Sequence, residues 1–80
     1  MVRTQVPLAV EFKNRKVEMA YRLDLVVEDQ ILIELKSTDK ILPIHEAQIL
    51  TYLRLSKFKL GFLMNFNSKL IKDGLRRFVL

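Results

Sequence analysis

The chain has 80 residues, half of them hydrophobic, which is enough for one ordered domain with a thin core. It has no Cys, which excludes disulfides and thiolate sites, and it has no run of eighteen apolar residues, so we expect a cytoplasmic protein without a membrane partner. The net charge of +5 permits a nucleic-acid partner, although a solvated basic surface would explain the charge equally well.

The amino-terminal part of the chain predicts three antiparallel strands in a meander. Hydrophobic residues alternate with other residues from Gln5 to Lys13, and Pro7, which cannot donate a ladder hydrogen bond, favours an edge position. Asn14-Arg15 has the composition of a hairpin turn, and a second strand is predicted from Lys16 to Val27. After a turn at Glu28-Asp29, the third strand is predicted from Gln30 to Ser37.

The rest of the chain predicts one long helix and further strands. Pro43 suits the first turn of a helix that continues to about Ser56. A fourth strand is predicted over Leu60–Phe66, a helical turn over Lys69–Gly74 and a last strand over Arg76–Leu80. The fold class is therefore α+β (α/β-like), in a single domain over residues 1–80. One long helix covers only one face of a sheet, so we expect a homo-oligomer or a partner on the other face.

Two carboxylates and one ammonium group are candidates for a metal-dependent hydrolytic site. Glu34 and Lys36 are two residues apart on a strand, so their side chains share a face about 7 Å apart. A tight turn after the second strand would bring Asp24 opposite Glu34. Such a group can hold Mg²⁺ (or Mn²⁺) for phosphodiester hydrolysis, whereas a surface salt bridge explains the same residues without chemistry.

His45, Gln48 and Tyr52 are spaced three and four apart and form one polar stripe on the predicted helix. This stripe could face the carboxylates, which makes its residues possible accessories of the site. His45 near the helix start could equally be a capping or surface residue, and the other two could cover a half-exposed helix face.

Four segments together resemble a known family: an isolated Asp in residues 21–25, Glu34-Leu35-Lys36 in residues 33–36, a His-Glu-x-Gln helix in residues 45–53, and the strand over residues 60–66. The chain is similar to the GxxExxY family, a branch of the PD-(D/E)XK nuclease superfamily, from about Gln5 to Leu80. The combination is far more specific than any one of its parts.

This resemblance implies a restriction-endonuclease-like core and a Mg²⁺- or Mn²⁺-dependent nuclease acting on nucleic acid, with DNA favoured. It implies that Asp24 and Glu34 bind the metal, together with the main-chain carbonyl of Leu35. It also implies that Lys36 assists the attacking water and that Gln48 is a further catalytic-site residue.

The family is named for an amino-terminal Gly-x-x-Glu-x-x-Tyr segment, which this sequence does not contain. We therefore expect the first core helix to be missing or to come from another protomer, and hydrolysis to be weak or lost. The alternative is a non-catalytic nucleic-acid-binding module, or a self-associating structural or regulatory subunit.

Overall fold

The computed structural model describes the backbone of residues 1–12 and 15–80 and the side chains of residues 1–8 and 22–80. The described chain forms a five-stranded mixed sheet in the order β1-β2-β3-β4-β5, with one long helix against it. The elements are β1 Val2–Phe12, β2 Arg15–Val27, β3 Ile31–Lys36, α1 Pro43–Ser56, β4 Leu60–Asn65, α2 Ile71–Gly74 and β5 Leu75–Val79.

The strand pairing confirms the predicted meander and adds a parallel step. Neighbouring strands are antiparallel from β1 to β3 and from β4 to β5, whereas β3 and β4 are parallel. Parallel neighbours need a crossover connection, and α1 supplies it. The carboxyl ends of β3 and β4 therefore lie at the same edge of the sheet.

The strand β1 begins earlier than the alternation predicts. It starts at Val2 instead of Gln5, because Val2 pairs with Val27 and the Met1 carbonyl accepts a bond from the Glu28 N–H. Ion pairs of the Met1 amino group with Glu28 and of Arg3 with Asp29 hold this end further. The edge position expected from the proline is confirmed.

The turn at Glu28-Asp29 is confirmed, and it is tight. Both residues have positive φ, 54° and 53°, and the Gln30 N–H donates to the Val27 carbonyl at 3.0 Å. The other predicted turn, at Asn14-Arg15, falls on residues 13–14, which lie outside the described part; Phe12 pairs with Arg15 across them.

Four boundaries after the helix differ from the prediction by one or two residues, and one of them is the end of β5, at Val79 instead of Leu80. β4 ends at Asn65 because a turn starts at Phe66, closed by the Ser68 N–H, which donates to the Asn65 carbonyl at 3.4 Å. The short helix begins at Ile71 instead of Lys69, and β5 begins one residue early because Leu75 already pairs with Met64.

The core lies between α1 and one face of the sheet. The helix ends as Lys57 turns left-handed and its N–H donates to the Leu53 carbonyl at 3.0 Å. It approaches β4 closely at Gly61, where an added Cβ would lie 3.1–3.3 Å from side-chain carbons of Leu53 and Ile49. Among the residues whose side chains are described, the buried hydrophobic ones are Leu8, Leu23, Val26, Leu32, Ile49, Tyr52, Leu53 and Leu63.

The opposite face of the sheet is only half-buried, with Ile33, Leu35, Phe62 and Met64 among its residues. The accessible surface is 5970 Å², above the value of about 5,000 Å² that is typical of a compact monomer of this size. The expected homo-oligomer or covering partner stays a prediction. Among the described residues, no helix has the length and apolar character needed to cross a bilayer.

Candidate metal centre

The candidate centre lies where the pairing of β2 and β3 stops. The backbone pairs run from Val27 with Ile31 to Leu25 with Ile33. At the next position, side chains bond across the gap: Asp24 Oδ2 accepts the Leu35 N–H at 2.9 Å, and Glu34 Oε1 accepts the Asp24 N–H at 3.3 Å. Each carboxylate is thus anchored by the backbone of the opposite strand.

Glu34 lies on the sheet face that packs against α1, and its side chain is 4 % exposed. Burial raises the pKa of its carboxyl from 4.5 to about 7, and the negative charge of Asp24 adds to the rise. A hydrogen bond from the Asp24 N–H and the positive charge of Lys36 lower the pKa in part. Two carboxyl groups this close repel one another when both are ionised, and a divalent cation between them would offset that repulsion.

The side chain of Lys36 is held in place by a residue of α1. Its Nζ donates to Gln48 Oε1 at 2.8 Å, and Gln48 Nε2 donates to the Tyr52 hydroxyl at 2.8 Å. Tyr52 is 5 % exposed and belongs to the core. Because an ammonium group can only donate, Lys36 meets the acceptor end of the Gln48 amide, and the donor end of the amide then meets the Tyr52 hydroxyl, which can accept. The structure therefore brings Asp24, Glu34, Lys36 and Gln48 together, with Tyr52 behind them.

His45 has a different local role. Its Nδ1 accepts the Leu42 N–H at 3.0 Å, at the start of α1, which is the capping arrangement considered from the sequence. It lines a groove of about 450 Å³ together with Gln48 along the outer side of the helix. An accessory role for His45 in the centre stays a prediction.

Sequence reasoning missed Asn65, which positions the chain just after Lys36. Asn65 pairs with Lys36 in the parallel ladder and is 5 % exposed. Its Oδ1 accepts the Thr38 N–H at 3.1 Å, and its Nδ2 donates to the Thr38 carbonyl at 3.0 Å. A polar residue at the end of a buried strand, on the face of Gly61 and Leu63, is the sequence signal that would have found it.

The donor set suits a hard divalent cation. Asp24 and Glu34 offer carboxylate oxygens, and the family resemblance implies the carbonyl of Leu35 as a third ligand. Within the described part of the chain, no group of three or more His, Cys, Asp or Glu residues gathers. Mg²⁺ commonly takes one or two carboxylates and keeps several waters, so this small oxygen set fits it.

Comparison with known families now decides the affiliation. The family model of the PD-(D/E)XK nuclease superfamily matches residues 1–78. The chain belongs to the PD-(D/E)XK nuclease superfamily. The mixed sheet with one main helix agrees with the restriction-endonuclease-like fold of this superfamily, so the predicted fold class is confirmed. No curated protein and no solved structure matches the chain. Its place in the GxxExxY branch stays a prediction.

The pattern that names the PD-(D/E)XK superfamily is present in part. Glu34-Leu35-Lys36 supplies the (D/E)XK tripeptide, and Asp24 is the acid on the preceding strand. Leu23 stands where the pattern has proline, and it is buried in the core at 2 % exposure. The tripeptide of this PD-(D/E)XK chain thus lies on a buried strand beside the packed helix.

The raised pKa of Glu34 predicts a stability that depends on pH. Between pH 4.5 and about 7 the folded chain keeps a proton that the unfolded chain has lost. The contribution of Glu34 to the free energy of unfolding should therefore be largest below pH 4.5. It should fall by about 3 kcal/mol as the pH rises through 7. Urea unfolding in EDTA at pH 5 and pH 8 measures the fall, and Glu34→Gln should abolish it. An equal fall in the variant would contradict the assignment.

Proposed function

We propose that the chain is a nuclease-like domain that hydrolyses phosphodiester bonds of nucleic acid, with DNA favoured, and that it uses Mg²⁺ or Mn²⁺. The observation that carries the proposal is the reciprocal anchoring of Asp24 and Glu34 at the end of the paired strands, with Lys36 held beside them by Gln48. Membership of the PD-(D/E)XK superfamily supports the same chemistry.

Asp24, Glu34 and the Leu35 carbonyl would hold the cation. Bound there, it would act as a Lewis acid and lower the pKa of a water molecule. Glu34 must first lose its proton, which its raised pKa delays until about neutral pH. The backbone bonds to both carboxylates fix their direction before any cation arrives, so little reorganisation is needed.

Lys36 has the charge that hydrolysis requires. An ammonium group near the cation orients the attacking water or offsets the negative charge that develops on the phosphate. Gln48 fixes the ammonium position, and Tyr52 fixes the Gln48 amide. Tyr52 accepts the hydrogen bond of Gln48, so we assign it a positioning role.

The surface charge supports a nucleic-acid substrate. The net charge of +5 attracts a polyanion, and Lys and Arg contacts to phosphates provide most non-specific affinity.

The test is hydrolysis of labelled oligonucleotides with Mg²⁺ or Mn²⁺ and with EDTA. Lys36→Ala should lower the cleavage rate about 100- to 1,000-fold, because one charge-stabilising donor is lost from the reacting phosphate. The matched control is Lys59→Ala, which removes an exposed lysine just before β4, at the end of that strand away from the candidate centre, and should leave the rate within about twofold.

Two results would overturn the proposal. One is cleavage that survives Lys36→Ala unchanged, and the other is no cleavage by the wild-type chain under any divalent cation. If the second came with metal-independent, salt-sensitive binding of the oligonucleotide, the domain would be a non-catalytic nucleic-acid-binding module.

A further inference from the structure

Exposed apolar side chains gather at one edge of the sheet. Away from the chain termini, the exposed large hydrophobic residues of the described part all lie in the connection after β3, in the first turn of α1 or in the connection and short helix after β4. They are Leu42, Ile44, Phe66, Leu70 and Ile71, with exposures between 42 % and 74 %. The two parallel strands end at this same edge, so the residues form one region, here called the apolar rim.

Phe66 is the aromatic member of the apolar rim, and its backbone adjoins that of Lys36 at the end of the parallel strands. Its N–H donates to the Lys36 carbonyl at 2.9 Å, and the residue before it pairs with Lys36. Its side chain is 63 % exposed. A ring at this place cannot serve the core, so its exposure needs another physical reason.

The apolar rim also carries positive charge. Lys40 lies in the connection after β3, and Lys69 and Lys72 lie in the segment after β4; all three are exposed, as are Asp39 and Asp73 in the same segments, so the net positive charge of the rim is small. Alternating apolar and cationic side chains suit a ligand that has both flat apolar faces and negative charges. Single-stranded nucleic acid is such a ligand, because its bases stack on aromatic rings while its phosphates meet cations.

The interior of a duplex does not suit this rim. A duplex turns its phosphates outward and keeps its bases stacked, so rings and aliphatic side chains reach bases only where these leave the stack. A protein partner would use the apolar residues but would also need acidic residues to pair with the excess of lysine charge. The position beside Lys36 and the lysines therefore favour an unpaired nucleic-acid strand.

We propose that Phe66 is a stacking platform for an unpaired base next to the phosphate at the candidate centre. The substrate class is then single-stranded nucleic acid, or a duplex with a flap or a frayed end. The proposal rests on the proposed function for the identity of the site, but stacking itself needs no metal and no hydrolysis.

The experiment uses tryptophan fluorescence, because the chain contains no Trp. Phe66→Trp places a single reporter on the rim, and Val79→Trp places a control reporter at a position that is 58 % exposed on β5. Both are titrated at low ionic strength in EDTA with a single-stranded oligothymidylate and with a blunt hairpin duplex of equal nucleotide number. We expect the single strand to quench the rim reporter and not the control, and the hairpin to quench neither.

A second measurement uses the ring itself. Binding of a labelled single strand, followed by anisotropy in EDTA, should weaken about 5- to 150-fold in Phe66→Ala and stay within about twofold in Phe66→Tyr. No quenching at the rim, equal quenching by both oligonucleotides, or an unchanged affinity in Phe66→Ala would overturn the proposal. An emission shift with protein concentration alone, without oligonucleotide, would also overturn it and assign the rim to contact between copies.

Because these titrations contain EDTA, their outcome is independent of the hydrolysis assay. Stacking with no cleavage would leave this proposal standing and reject the proposed function. Cleavage of duplex and single strand at equal rates, without quenching at the rim, would do the reverse.

Discussion

Replacing Asp24 and Glu34 together by alanine is expected to weaken Mn²⁺ binding at least a hundredfold and to abolish metal-dependent cleavage. The two side chains supply all the carboxylate oxygens of the candidate centre, and the charge that attracts the cation leaves with them. Calorimetry measures the affinity, at pH 8, where Glu34 with a pKa of about 7 is ionised. The loss of Mn²⁺ affinity should be larger than that in Lys36→Ala, because this substitution removes no metal ligand.

Two further variants make the result specific. Asp39→Ala with Asp73→Ala removes the same charge from exposed positions and should keep the affinity within about threefold. Asp24→Asn with Glu34→Gln keeps oxygen acceptors for the Leu35 and Asp24 N–H groups, so the strands stay anchored while the charges are lost. Equal Mn²⁺ affinity in the wild type and in this folded amide variant would reject the metal centre.

Leu53→Ala is expected to lower the free energy of unfolding by about 2–5 kcal/mol, which is a large share of the stability of a domain of this size. Leu53 is fully buried, and its methyl groups pack on Gly61, where α1 approaches β4. The backbone of Gly61 cannot move far enough to fill the cavity, because β4 is held by strands on both sides. Urea unfolding followed by circular dichroism measures the loss.

Leu70→Ala is the matched control for this change. It removes the same atoms from a side chain that is 53 % exposed and should change the stability by less than about 0.5 kcal/mol. Similar losses in the two variants would mean that α1 is not packed on β4 in the way described.

Much of the fold could be predicted from local patterns. Strand alternation and Pro43 gave the order of elements, and the two-residue spacing correctly placed Glu34 and Lys36 on one face. The parallel pairing of β3 with β4 could not be predicted in this way, since pairing depends on contacts between distant residues. The exposure of Phe66 could not be predicted either, because hydropathy alone favours its burial.

The candidate centre was likewise predictable only in part. Family resemblance selected Asp24, Glu34, Lys36 and Gln48, and the structure brings these four residues together. Their backbone anchors were not predictable, because they exist only where the pairing of β2 and β3 stops. The role of Asn65 was hidden for a related reason: its bonds reach Thr38, 27 residues away.

The tight turn at Glu28-Asp29 has a consequence for the order of folding. The bonds that join the carboxylates span 10 and 11 residues, and the bond from Lys36 to Gln48 spans 12. Loops this short close quickly and at low entropic cost, whereas the parallel pairing of β3 with β4 must wait for the crossover. The hydrogen bonds of the candidate centre are therefore all local in sequence, within residues 24–52, although α1 packs on β1 and β4, which lie outside this range.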